Sequence, residues 1–308
     1  MRAVSDKRRI KELKSRISIL TGDTPCKFHI MNISMFVESV RLFLKWSKLE
    51  TKGFRNAMEI ALVEETFEFP DLPREFDGFK ILLITDLHID GIPALPEKIL
   101  EKALPLKADI CLFGGDYRFY NCGNTRNVCD RMKSFANKLS GTGIPVAAVL
   151  GNHDEYEIAR ELDGAGVKML INENLLIDRN GASLCICGVD DCHYYGSHDI
   201  RQSLAGVPNK AFRILLCHSP ELYAEAEQSG FRLYLAGHTH GGQICPMPGK
   251  PILIQAKIPG RLAAGAWTHG RLKGYTSRGA GSSGVPARFN CPPEIALITL
   301  KAGVKNNE

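Results

Sequence analysis

Side chains of the kind that hold divalent metals recur in this chain directly after short apolar runs, and that pairing restricts the fold more than any other feature. Asp86-Leu87-His88 follows the run 81–85, and Gly114-Gly115-Asp116 follows 110–113. Gly151-Asn152-His153-Asp154 follows 146–150, His218-Ser219-Pro220 follows 214–217, and Gly237-His238-Thr239-His240-Gly241-Gly242 follows 233–236. Continuous apolar runs of this length predict buried central strands. Further strands are predicted at 58–69 and 183–189, and helices near 97–105, 125–139, 155–164 and 219–228. Strand, loop and helix in repetition predict an α/β fold. In an open α/β sheet, ligands bind beyond the carboxyl ends of the strands, so the five signatures are expected to converge on one place.

The chemistry follows from the residue types. Asp86 and His88 stand two residues apart, as do His238 and His240, and period-two geometry turns such pairs to the same side. Asp116 offers a carboxylate able to bridge two ions, and the glycines before it let the backbone pass close to the site. Asn152 adds a neutral oxygen. A single Asp-x-His is common, and one histidine is more often a hydrogen-bonded structural residue than a ligand. Five signatures in order, each after a strand, point instead to a two-metal centre for phosphate-ester hydrolysis. Mixed oxygen and imidazole donors suit manganese, iron or zinc better than calcium. His29, His193, His198 and His269 have no such context; His29 is read as structural or exposed, and His193 and His198 as candidates for lining a substrate pocket.

The 308 residues are 44% hydrophobic and 24% charged, enough for one sizeable domain. The net charge of +5 is local: residues 1–16 carry seven basic residues against Asp6 and Glu12, so the rest of the chain is neutral. A basic arm on a neutral body is not the footprint of a nucleic-acid-binding domain; it fits a solvated arm or a contact with an anionic membrane. Arg8-Arg9 is not followed by an apolar export core, and no run of 18 apolar residues is present. In residues 30–48, Ile33, Phe36, Val37, Val40, Phe43 and Leu44 fall on one helical face, with Leu42 and Trp46 widening it. That face is read either as packed on the domain or as lying in a membrane interface. The division expected is therefore 1–48, basic arm and amphipathic helix, and 49–308, catalytic domain. Residues 259–290, rich in Gly, Arg and Ser, are expected to be loops. The ten cysteines have no disulfide-framework spacing and suggest a reducing compartment. Cys185 and Cys187 read as two small buried hydrophobes on one strand face.

In its signatures D-x-H, G-D, G-N-H-D, H and G-H-x-H, the chain resembles the calcineurin-like metallophosphoesterase superfamily over about residues 55–300. The stretches 237–243, Ser277-Arg278-Gly279, Pro286-Ala287-Arg288 and Cys291-Pro292-Pro293-Glu294-Ile295 are most similar to the bacterial branch of YkuE- and YaeI-type phosphodiesterases, near the UDP-2,3-diacylglucosamine pyrophosphatases. The resemblance implies a four-layer αββα sandwich of two mixed sheets. It implies two divalent ions (Mn, Fe or Zn), the first held by Asp86, His88, Asp116 and His240, the second by Asp116, Asn152, His218 and His238. His153 would face the phosphate as general acid or transition-state donor, with Asp154 orienting its ring. The expected substrate is a phosphodiester or pyrophosphate, small or lipid-linked. The expected location is cytoplasmic or peripheral on the inner membrane face. A soluble nucleotide or general phosphodiesterase and a non-catalytic scaffold are the alternatives, though every ligand position is filled. A phosphoprotein phosphatase is disfavoured, because Glu155-Tyr156-Glu157 brings no arginine beside the Gly-Asn-His-Asp signature. One departure is Phe119, where relatives often carry an acidic residue; its neighbour Arg118 is read as a substrate contact or an exposed loop cation.

Overall fold

Strands and helices alternate much as the apolar runs predict. The computed structural model describes residues 5–21, 31–119 and 124–303, and for 15–21, 31–34 and 36 the backbone alone. His29, Cys26 and Cys122 lie outside the described residues, as do the side chains of Ile33 and Phe36. Helices α1 (Asp6–Thr21), α2 (Met31–Trp46) and α3 (Glu50–Ala57) precede β1 (Ala61–Phe69). The first half continues with β2 (Lys80–Ile84), α4 (Leu95–Ala103), β3 (Ile110–Phe113), α5 (Arg126–Ser140), β4 (Val146–Ala148), α6 (Tyr156–Asp163) and β5 (Lys168–Met169). The second half has β6 (Glu173–Arg179), β7 (Ala182–Gly188), α7 (Ile200–Ser203), β8 (Phe212–Leu216), α8 (Tyr223–Gln228), β9 (Leu233–Ala236), β10 (Gly265–His269), β11 (Leu272–Thr276) and β12 (Glu294–Ala302).

Two six-stranded mixed sheets result, ordered β1-β12-β2-β3-β4-β5 and β10-β11-β9-β8-β7-β6. In the first, β2 through β5 are parallel and β12 runs antiparallel to β2; in the second, β7, β8, β9 and β11 are parallel, with β6 and β10 antiparallel at the edges. Alternation along each strand builds the layers. Ile81, Leu83, Ile110 and Leu112 face Ile186, Ile214, Leu216 and Leu235 between the sheets. Leu82, Ile84, Cys111 and Phe113 face outward onto α4, α5 and α6, through Ile99, Met132, Phe135 and Ile158. Cys185, Cys187, Leu215 and Tyr234 face the other way, toward Leu222 and Ala226 beside α8. The four-layer αββα sandwich is thus present, and the 185/187 thiols are buried together in its outer core, with sulfurs 3.6 Å apart.

The structure corrects three expectations. Residues 259–290 are not all loop: β10 and β11 form a hairpin in which Trp267 lies opposite Gly274. A Cβ at Gly274 would sit 2.2 Å from the indole, so the glycine that masks the strand pattern is what admits the ring. The central strand β12 is likewise absent from the predicted apolar runs. Finally, α1 is not free of the body: Arg8 is fully buried against it, while Lys7, Arg9 and Lys14 remain exposed. The α2 face divides: Val37, Val40 and Leu44 pack against Val285, Ala287 and Phe289, while Leu42 (61% exposed), Phe43 (55%) and Trp46 (82%) face outward.

Candidate metal centre

Every signature sits immediately after a strand, at the carboxyl edges of β2, β3, β4, β8 and β9. Strand alternation is not what turns the paired ligands inward. Asp86, His88, Asp116, His238 and His240 all take left-handed backbone, with φ of 52°, 41°, 56°, 70° and 50°. Non-glycine residues seldom adopt this region, and when they cluster there the strain is commonly part of a site. The chain unwinds at the strand ends so that side chains in sequence can reach different partners. His238 and His240 accordingly separate into different groups.

Asp86, His88 and His240 bring their donor atoms within 4.8 Å of one another, and so do Asp116, His218 and His238; all six residues are buried. His88 Nε2 lies 3.1 Å from His240 Nε2, and His240 Nε2 lies 3.5 Å from Asp86 Oδ1. In the second group His218 Nε2 is 3.3 Å from Asp116 Oδ2 and 3.1 Å from Asn152 Oδ1. The ring tautomers fit cation binding. His88 Nδ1 donates to the carbonyl of Arg118, His218 Nδ1 to that of Gly114 (2.8 Å), and His238 Nε2 to that of Gln255 (2.8 Å). A carbonyl can only accept, so the other nitrogen of each ring faces its group; on His218 burial is outweighed by Asp116, which raises the ring well above the usual range, so a bound cation would displace a proton there.

Electrostatics sharpen the division between the two aspartates. Burial pushes the Asp86 carboxyl up, against the pull of His218. Burial acts the same way on Asp116, but the charges of His218, His153 and His88 outweigh it and hold that carboxyl well below the usual range. The His238 ring is lowered to about 3, chiefly by burial and then by His218. Close approach demands glycine at two places. A Cβ at Gly237 would lie 2.2 Å from Asp86 Oδ2, and one at Gly151 would lie 2.1 Å from Asp116 Oδ1. Gly151→Ala is therefore expected to displace the Asp116 carboxylate and lower both bound metal and turnover, by about a hundredfold for the latter if the shift nears 1 Å. Metal analysis and initial rates check this, and wild-type values for both would remove Asp116 from the centre.

His153 stands beside this carboxylate. Its backbone N–H donates to Asp116 Oδ1 at 2.9 Å, and its ring Nε2 is 3.8 Å from Asp116 Oδ2, with the side chain 15% exposed at the rim. Burial lowers the ring to about 4, so it is neutral near pH 7. Asp154 departs from its expected task of orienting that ring. Its oxygens accept the backbone N–H groups of Asp116 (2.8 Å), Tyr117 (2.8 Å) and Gly151 (2.9 Å), tying the Gly-Asp and Gly-Asn-His-Asp loops together. Burial, and next the charge of Asp116, raise its carboxyl to about 6.

Comparison with known proteins agrees with this arrangement. The family model described as calcineurin-like phosphoesterase matches residues 79–242, more than half of the chain. The chain belongs to the calcineurin-like phosphoesterase family. It is a metal-dependent phosphohydrolase. Phosphodiesterase YaeI of Escherichia coli is 30% identical over 237 residues, 72% of this chain and 82% of its own length. The metallophosphoesterase YkuE of Bacillus subtilis is 27% identical, covering 79% of this chain and 86% of its own. Metallophosphoesterase Cj0846 of Campylobacter jejuni is 30% identical over 88% of this chain and 70% of its own.

The remaining positions of this phosphoesterase divide clearly. Arg118 is buried rather than an exposed loop cation, paired with Glu155 at 2.9 Å, while its carbonyl holds His88. The Phe119 ring stands edge-on to His88, 6.1 Å away, so this position contributes packing rather than charge. His193 reaches the site's edge: its ring centre is 4.3 Å from that of His238, and its Nδ1 is 2.9 Å from Glu221. His198 instead lies 3.8 Å from Glu225 on α8, and His269 packs on Tyr223. Two arginines were not singled out by sequence reasoning. Arg288 is fully buried and donates to the carbonyls of Arg278 (2.8 Å) and His240 (3.1 Å), with Nη2 also 3.1 Å from His240 Nδ1. Its signal was the Pro-Ala-Arg stretch, quoted for likeness alone. Arg8 was hidden inside a charge run that reads as solvated.

Proposed function

We infer that this phosphohydrolase uses two divalent ions to cleave a phosphodiester or pyrophosphate bond, and that its substrate is lipid-linked and met at an anionic membrane surface. The observation that carries the first part is the pair of buried three-residue groups, with Asp116 of one interacting electrostatically with Asp86 and His88 of the other. In this reading Asp86, His88, His240 and Asp116 hold one ion, and Asp116, Asn152, His218 and His238 the other. Two such ions, once bound, neutralise phosphoryl oxygens and acidify the attacking water. The chain's own residues do the rest. The neutral His153 ring at the rim donates an N–H hydrogen bond to a phosphoryl oxygen, and the leaving oxygen takes its proton from water. Its backbone N–H, with Asp154, keeps the Asp116 loop in place, which fixes geometry before substrate arrives. The name of the similar YaeI protein, a phosphodiesterase, favours a diester.

The lipid part rests on α2. Its outward Leu42, Phe43 and Trp46 are interleaved with exposed Arg41, Lys45 and Lys48, a mixture suited to the headgroup level of an anionic bilayer. No described helix is long and apolar enough to cross a membrane, and the proposed attachment is interfacial. The helix also connects to the site. Arg41 donates to the Gly284 carbonyl (2.8 Å), and the same loop carries Arg288, which meets His240. The test is a substrate panel with manganese-loaded protein: UDP-2,3-diacylglucosamine in anionic vesicles, bis-p-nitrophenyl phosphate, p-nitrophenyl phosphate and cyclic nucleotides. Turnover is expected to be fastest on the vesicle substrate and faster on the aryl diester than on the monoester. Phe43→Ser with Trp46→Ser should slow only the vesicle reaction. A preference for the monoester would overturn the diester reading. No turnover of the lipid, or no effect of the double substitution, would overturn the membrane reading.

A further inference from the structure

Among the described residues of the basic arm, Arg8 is the one fully buried side chain, and it meets the catalytic body. Arg8 lies in the first turns of α1, far in sequence from the loops it touches. Its Nη2 donates to the carbonyl of Asp154, its Nη1 to Asp190 Oδ1, and its Nε to Glu12 Oε1 at 2.9 Å. The guanidinium also stacks on Tyr195, 4.0 Å from the ring centre. Glu12 Oε1 in turn accepts the backbone N–H of Tyr156 at 2.9 Å, so the arm grips both ends of the segment 154–156. Lys11 joins from the next turn, donating to the carbonyl of Tyr194.

These contacts lie one step from the site on each side. Asp154 holds the backbone of Asp116 and Gly151 through its carboxylate while Arg8 holds its carbonyl. His153, next in the chain, anchors Asp116 Oδ1. Asp190 accepts the backbone N–H of Asp191 (2.9 Å) and the Ser197 hydroxyl (2.7 Å), and Asp191 accepts the N–H of His193 at 3.2 Å. The first loop leaves β4 of one sheet and the second leaves β7 of the other. A planar guanidinium with five donors in a fixed fork suits such a junction, which an ammonium cannot span in the same way.

We propose that Arg8 is a positioning residue for the hydrolytic reaction: it locks the His153-bearing loop to the His193-bearing loop across the two sheets, so that the amino-terminal arm completes the site. The inference rests on the reading of His153 and Asp116 as site residues.

The test uses full-length, metal-loaded protein and two readouts. In Arg8→Ala, amide exchange measured by mass spectrometry should quicken in the peptides spanning 150–156 and 188–197. Turnover of whichever panel substrate the wild type cleaves best should fall in kcat by about ten- to a hundredfold, with KM and metal content little changed. Millimolar guanidinium should restore part of the lost kcat, urea none, and Arg8→Lys should lie between. Lys14→Ala, an exposed change on the same helix, should match wild type. If burying an unpaired Asp190 impairs folding of Arg8→Ala, the charge-neutral pair Arg8→Met with Asp190→Asn should still show the quickened exchange and the kcat loss. Unchanged exchange, or a kcat loss that guanidinium fails to relieve, overturns the proposal. Exchange is read without substrate, so failure of the substrate panel and failure of this inference are distinct results.

Discussion

Asp116→Ala is expected to empty both metal groups at once. Its carboxylate lies 3.3 Å from His218 Nε2 and 3.8 Å from His153 Nε2, and its charge reaches His88 and Asp86 of the other group. Bound metal should fall from about two ions per chain to below one. Turnover should fall with it: losing electrostatic stabilisation of ~4–6 kcal/mol corresponds to about a 10³–10⁴-fold slower reaction. The fold should survive, because Asp154 holds the residue-116 backbone through its N–H, which alanine retains. Metal analysis beside initial rates decides the matter. A variant that keeps two ions would show that the groups are filled independently and that Asp116 is no bridge.

His153→Ala should separate binding from catalysis. The backbone N–H that steadies Asp116 Oδ1 is unaffected by the change, so metal content should match wild type. What is lost is the ring at the rim, 3.8 Å from the Asp116 carboxylate and neutral near pH 7, with one proton to donate. Removing one positioned donor to the developing charge typically costs about 10²–10³-fold in rate. The loss should appear in kcat on bis-p-nitrophenyl phosphate, with KM little changed. Full turnover in the variant would exclude His153 from the mechanism. Loss of metal along with rate would instead make the ring a ligand.

The residues that carry these predictions were legible because polar side chains in the metal-type signatures stand directly after apolar runs. β3 and β9 coincide with their runs, and β2, β4, β7 and β8 differ from theirs by a few residues at one or both ends. Less regular segments were harder to read. The pair β10 and β11 hides behind Gly274, whose missing side chain makes room for Trp267 across the ladder. Asp154 was assigned to the ring next to it in sequence, whereas its carboxylate turns to backbone groups nearly forty residues away. Arg118 looked like a loop cation because nothing local reveals that Glu155 will lie against it.

The sequence alone therefore determined the reaction class, the strands that lead into the signatures and the identities of the candidate ligands, since each depends on residue type and local period. The tertiary structure brought together, in two groups, the ligands whose division the family resemblance implied. Left-handed backbone at Asp86, His88, Asp116, His238 and His240 breaks the alternation that spacing would suggest, and no local propensity foretells it. The same holds for the two buried arginines. A charged run reads as solvated until long-range packing supplies partners, and Arg8 finds Asp190 and Asp154 only when both sheets and the arm have closed around it.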